Sequence, residues 1–170
     1  TSEPTALHGY TSAPGANEAR DFITANLNQR YGTSFTRRNV YVTCGAAAAL
    51  TSALRALTLG PESEFIAFAP YFPEYRGFAE AAGGKFIVVE PDLERFQIDF
   101  PAFEAKLGAN TQGVIINSPN NPSGVIYSEE TLRRLSDILR KKSAEVGHPI
   151  YLVSDEPYRE LNYTDTPVPF

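Results

Sequence analysis

Two short stretches hold the side chains best suited to chemistry: Asn117-Ser118-Pro119-Asn120-Asn121-Pro122-Ser123-Gly124 and Ser154-Asp155-Glu156-Pro157-Tyr158. Each begins where an apolar run gives out into turn residues. Between them they offer an amide, a carboxylate and a phenol, a set able to hold a cationic heteroaromatic ring and a hydroxyl beside it. Asp155 ends the run Ile150-Tyr151-Leu152-Val153, which predicts a half-buried carboxylate. Such a group wants a cation or several donors, because breaking a buried pair costs about 3–5 kcal/mol. The same aspartate also suits a turn or a helix cap. Tyr158 lies close enough in sequence to join the site. Asn121 precedes a proline, so its backbone is held out of the helical region; its amide either points inward as donor and acceptor or simply serves the turn.

Two further turns are candidates. Gly45-Ala46-Ala47-Ala48 places small side chains at a helix start, where backbone N–H groups and the helix dipole favour an anion. It also reads as an alanine-rich helix packed closely on a sheet. Beside it, Cys44 fits a small buried packing residue better than an activated thiol. Tyr71 and Phe72 lie between Pro70 and Pro73. A rigid aromatic turn of that kind can cover one face of a planar ring, or belong to the core.

The elements that must position these residues alternate. Helices are predicted over 16–31, 46–59, 74–82, 99–107 and 128–146, several with caps in Asp99, Ser128 and terminal glycines. In the first, Ala19, Phe22, Ile23, Leu27 and Arg30 fall near helical spacing. Strands are predicted over 39–43, 64–69, 85–90, 113–117 and 150–153. Residues 1–15 read as irregular, and no second-domain boundary stands out. Strands separated by long helices imply βαβ units and a mainly parallel sheet, and the apolar, non-alternating strands imply cover on both faces. The expected fold is α/β with five strands. Ligands of such sheets bind beyond the carboxyl ends of the strands, and Gly45, Phe72, Asn121 and Asp155 all follow predicted strands.

The 170 residues, 42% of them hydrophobic, suffice for one packed domain. Net charge is −5, and basic residues are interspersed with acids. The longest basic run, Arg140-Lys141-Lys142, is expected at a helix end, where cations complement the dipole, and not as a nucleic-acid patch. No apolar run approaches the roughly 20 residues of a membrane span. One cysteine makes no internal disulfide, and His8 and His148 have no metal-ligand spacing. The expectation is a soluble, cytoplasmic protein with no metal, nucleic-acid or membrane partner. The absence of methionine, the initiator included, reads as a processed, excised or engineered segment. A nucleotide-binding enzyme fits poorly: no G-x-G-x-x-G follows the first strand, and Gly83-Gly84-Lys85 precedes its strand.

Taken together these residues resemble the fold type I pyridoxal phosphate enzymes, specifically the class I/II aminotransferases related to aspartate aminotransferase. The resemblance covers nearly the whole chain in order: His8-Gly9-Tyr10 with Gly15-Ala16-Asn17-Glu18-Ala19-Arg20, the glycine-led helix start, the aromatic before Pro73, the N-N-P-S-G turn and the D-E-P-Y turn. It implies a three-layer large domain, of which residues 1–170 are the N-terminal part, with about five of seven strands. It implies that Gly45, Ala46 and Ala47 offer backbone N–H groups to the cofactor phosphate and that Phe72 stacks on the pyridine ring. It further implies that Asn121 and Tyr158 hydrogen-bond the ring oxygen and that Asp155 pairs with the ring nitrogen. Tyr10 resembles a residue lent across a homodimer interface to the neighbouring phosphate. A hydroxyl residue often found near Ala47 is missing. So are the Ser-Lys motif, whose lysine binds the cofactor, and the later arginine for the substrate carboxylate; the expected catalytic set within 1–170 is therefore empty. The implied activity is amino transfer between an amino acid and a 2-keto acid. Lyases, decarboxylases and cyclopropane-forming synthases share the scaffold, and a non-catalytic module that keeps the fold is the other alternative.

Overall fold

The structure, a computed structural model, describes residues 3, 8–94, 96–165 and 167–170. It divides into two compact units, Thr1–Ala49 with Phe170, and Leu50–Pro169.

Within residues 50–169 four parallel strands form one sheet, β1 (Glu64–Phe68), β2 (Lys85–Val89), β3 (Thr111–Asn117) and β4 (Tyr151–Asp155), in the order β2-β1-β3-β4. The chain first steps from β1 outward to β2, then returns across β1 to β3. Crossovers of one hand that reverse direction must also change face. The packing shows this change. Phe65, Ala67 and Ile115 point to the side holding Leu50, Leu54, Tyr75 and Ala79, from α2 (Ala46–Leu57) and α3 (Glu74–Ala81). Ile66, Phe68, Val114 and Ile116 point to the side holding Phe103, Leu135 and Leu139, from α4 (Phe100–Lys106) and α5 (Glu129–Val146). Three layers result, and β3 is buried along its whole length.

The helices start where their caps dictate. Asp99 accepts from the Ala102 N–H at 3.0 Å and Ser128 from the Thr131 N–H at 3.1 Å. Gly147 closes α5 with φ +79°, a conformation that favours glycine. The last turn of α5 holds no basic residue: the helix runs past Arg140-Lys141-Lys142, and Lys142 pairs with Glu145 instead. β4 departs from the expected two-sided burial, with Tyr151 and Leu152 exposed, because it is an edge strand. Gly83 turns the chain at φ +91°, and a Cβ on Gly84 would stand 2.9 Å from both the Phe65 ring and the Ser63 carbonyl. The Gly-Gly pair is a packing device, not a phosphate loop.

Residues 8–49 are held mainly by polar contacts. α1 (Asn17–Tyr31) ends at Gly32, φ +65°. It buries Arg20 and Thr24, while Phe22 and Ile23 are exposed, the reverse of the expected apolar stripe. The cause is Arg20, whose Nε donates to the Val40 carbonyl at 2.9 Å and whose Nη2 donates to that of Arg37. Asn28 straps down Phe35 through its N–H and carbonyl, at 2.8 and 2.9 Å.

The predicted strand at 39–43 is absent. Residues 37–39 form a single 3-10 turn, the Val40 N–H returns to Arg37, and the Val42 N–H goes to Pro14. These are isolated bonds and not a ladder, so the β-branched composition has no sheet to join. Among the described residues the sheet has four strands, where five were expected.

Gly84→Ala should lower the urea midpoint by the equivalent of about 1–3 kcal/mol, since backbone as well as ring must shift; an unchanged midpoint contradicts the packing described. Burial pushes the Tyr127 phenol up to about 12, above its unfolded value of about 10. A raised phenol contributes stability that is complete below the unfolded value and is lost as pH climbs through the folded one. Unfolding free energy should therefore hold steady to about pH 9 and fall above about pH 10, with a shallower fall in Tyr127→Phe. Identical alkaline slopes for the two proteins would refute this.

Candidate active site

Because the strands are parallel, the turns after β1, β3 and β4 leave the sheet on one edge. The chain reverses its stepping between β1 and β3, and open α/β sheets bind ligands in such a crevice. β3 and β4 pair in a register that sets Asn117 opposite Asp155. Asn117, 3% exposed, uses its whole amide there: Nδ2 donates to the Asp155 carbonyl at 2.8 Å, and Oδ1 accepts from the Asn121 N–H at 2.6 Å. One buried side chain thus sets the spacing of two candidate residues.

The turn itself is built by Asn120. Its Oδ1 accepts from the Ser123 N–H at 3.1 Å and hydroxyl at 2.7 Å, and its carbonyl accepts from Gly124, whose φ is +74°. That division of labour leaves the Asn121 amide to the site, where Nδ2 lies 3.4 Å from the Tyr158 hydroxyl. Asn121, Tyr158, Leu161 and Tyr163 line an open recess.

Asp155 is half-buried and accepts one side-chain hydrogen bond, from the Tyr75 hydroxyl to Oδ2 at 2.6 Å. No described cation pairs with it. The next carboxylate is already engaged, since Glu156 accepts from Arg159 at 2.8 Å and from Ser154 at 2.7 Å. Two adjacent acids therefore have different jobs: Glu156 closes the turn, and Asp155 keeps acceptor capacity toward the strand edge. Tyr75 is 1% exposed. Burial, then the hydrogen bond and charge of Asp155, hold its phenol far above the ordinary tyrosine value. It stays a donor at any working pH. Phe72, in the turn before α3, is partly buried and meets the Tyr75 ring edge-to-face at 5.6 Å.

Asn121, Tyr158 and Asp155 are thus brought to one edge, with Phe72 linked to Asp155 through Tyr75. Sequence reasoning gave Asn117 and Tyr75 no role. An amide closing the apolar run Val114-Ile115-Ile116 was the available signal for the first. Tyr75 carries no sequence signal of its own: it lies three residues beyond Phe72, inside the predicted helix 74–82.

The remaining candidates lie in residues 1–49. Tyr10 is fully exposed. Gly45 has φ +88° with open space around its α-carbon, so conformation and not crowding requires glycine there. Its N–H donates to the Thr43 carbonyl at 2.9 Å, and its carbonyl accepts from the Ala49 N–H at 3.3 Å. Ala46 opens α2, and Gly45, Ala46 and Ala47 are exposed. This turn does not follow a sheet strand, contrary to expectation. Cys44 is exposed as well, so the buried packing role expected of it does not hold.

Asn117→Ala should loosen both turns, with a stability loss of about 1–3 kcal/mol for the buried partners left without it. Amide exchange at Asn121 should quicken in step. Protection at Asn121 unchanged from the parent chain would show that Asn117 does not hold that turn.

Residues 1–169 match the family model described as aminotransferase class I and II. The aspartate aminotransferase of Thermotoga maritima is 38% identical over 92% of this chain and 40% of its own length. A probable aspartate/prephenate aminotransferase of Thermus aquaticus is 35% identical over 91% of this chain and 39% of its own. Among solved structures, an amino transferase from Eubacterium rectale superposes with a TM-score of 0.96 at 55% identity, covering 99% of this chain and 42% of that one. The Thermotoga maritima aspartate aminotransferase superposes at 0.86 with 34% identity, covering 97% and 43%. The chain spans about two fifths of the length of the curated relatives it matches. With the family's motifs in order and the sheet, crossovers and polar edge in place, the chain belongs to the class I and II aminotransferases.

Proposed function

We propose that residues 1–170 carry the cofactor-binding part of a pyridoxal phosphate-dependent enzyme that moves an amino group between an amino acid and a 2-keto acid. The observation that carries this reading is Asp155: a half-buried carboxylate at the strand edge, with one neutral donor and no described cation beside it. A protonated pyridine nitrogen supplies the missing positive charge. Asn121 and Tyr158, close enough to share one acceptor, suit the ring oxygen two atoms away. Phe72 suits the ring face. The donor set fits the cofactor.

When bound, pyridoxal phosphate supplies an electron sink for bonds at the substrate's α-carbon. In this reading Asp155 keeps the proton on the ring nitrogen, Asn121 and Tyr158 hold the ring oxygen, and Phe72 restrains the ring against tilting. Gly45, Ala46 and Ala47 belong to the phosphate, through the backbone of a helix start. Tyr10 serves the phosphate of a second subunit in a homodimer, consistent with its full exposure. The lysine that binds the cofactor and moves the substrate proton is not assigned within 1–170. Lys85 opens β2 at the opposite edge and pairs with Glu62, Lys106 donates to the Val88 carbonyl, and Lys142 pairs with Glu145. In this reading residues 1–170 are the N-terminal part of a large domain and the lysine lies elsewhere in the polypeptide, in keeping with the greater length of the matched relatives. A cytoplasmic location belongs to the same proposal. Among the described residues no helix is long and apolar enough to cross a membrane.

The test is made on the complete polypeptide that carries these residues. Adding pyridoxal phosphate should produce a saturable visible absorption band and amino transfer from an amino acid to a keto acid. Asp155→Ala should slow transfer roughly a hundredfold or more, the equivalent of about 3 kcal/mol. An unchanged band and rate in Asp155→Ala would sink the assignment of the ring nitrogen.

A further inference from the structure

We infer that Tyr75 is a positioning residue for Asp155, holding one carboxylate oxygen so that the other is presented to the cofactor ring; the inference rests on the pyridoxal phosphate reading. A carboxylate has two equivalent oxygens and turns freely about its last bond unless a donor chooses between them. Tyr75 makes that choice, with 2.6 Å between its hydroxyl and Oδ2. The phenol has a single proton, so the bond leaves it nothing to give elsewhere.

Three features set this contact apart from ordinary core packing. The donor is rigid: the ring is 1% exposed and lies among Leu50, Leu54, Phe65 and Ala79. The acceptor is partly open, at the carboxyl end of the edge strand β4. And the donor shares one turn of chain with the candidate ring-stacking residue, since the Tyr75 N–H donates to the Phe72 carbonyl at 3.1 Å and the two rings meet edge-to-face at 75°. The start of α3 therefore places both the surface that covers the ring and the oxygen that meets its nitrogen. Asp155 and Tyr158 are the titratable groups whose charge bears on the phenol.

Tyr75→Phe in the complete polypeptide keeps the ring and removes only the hydroxyl. Titration of the cofactor-free protein with pyridoxal phosphate should show roughly tenfold weaker binding, as expected for losing a hydrogen bond to a charged group. The pH midpoint of the visible band should move as well. In an Asp155→Ala background Tyr75→Phe should have no further effect on affinity, because the hydroxyl acts through the carboxylate. Affinity within twofold of the parent together with an unmoved midpoint, or full additivity with Asp155→Ala, would overturn the inference and leave the cofactor reading standing. A parent protein that shows no saturable binding overturns the cofactor reading itself. If the phenylalanine variant does not fold, 3-fluorotyrosine at position 75 makes the phenol a stronger donor at nearly constant shape. A shifted midpoint then supports the positioning role, and an unshifted one refutes it.

Discussion

The register between β3 and β4 is the constraint on which the site depends. Pairing Asn117 with Asp155 across two parallel strands places an amide beside a main-chain carbonyl at the point where both strands end. The amide then reaches over to the next turn and holds the backbone of Asn121. A slip of one residue would turn every side chain of β4 to the other face. It would also leave the Asn117 amide with nothing to bridge. Since β3 is buried throughout, its polar terminal residue must find partners inside the protein. The partners it finds are the two turns that hold the candidate residues Asn121 and Asp155.

Electrostatics divides labour within those turns. Each adjacent pair of similar residues splits into a structural member and an available one. Asn120 satisfies the turn while Asn121 keeps its amide outward, and Glu156 pairs with Arg159 while Asp155 keeps an acceptor open. The phenol of Tyr75 contributes a donor that burial prevents from ionising, so the edge holds a carboxylate steadied by a neutral group instead of one neutralised by a cation. That arrangement leaves its charge available to a ligand.

The fold was legible wherever local rules coincide. Apolar runs bounded by turn signals marked four strands that formed, and Asp99, Ser128 and Gly147 marked helix ends that formed. Reading failed at 39–43 because β-propensity describes fitness for a sheet and says nothing of whether a neighbouring strand is present. It failed in α1 because a buried arginine can satisfy itself on carbonyls far along the chain, which inverts the face expected from hydrophobic spacing. The exposure of Tyr151 and Leu152 likewise follows from β4 standing at an edge. Composition does not record that position.

The sequence by itself determined the α/β class, the family, and the residues at the carboxyl edge, because turn chemistry and strand ends are local and the motifs keep their order along the chain. Only the tertiary structure decided how those residues are held. Tyr75 and Asp155 are 80 positions apart, and Asn117 and Asp155 are 38 apart. Their pairing is set by strand order and crossover face, which no local pattern encodes. What sequence offered as an amide, a carboxylate and an aromatic is thus brought together through two residues, Asn117 and Tyr75, to which the sequence reading gave no role.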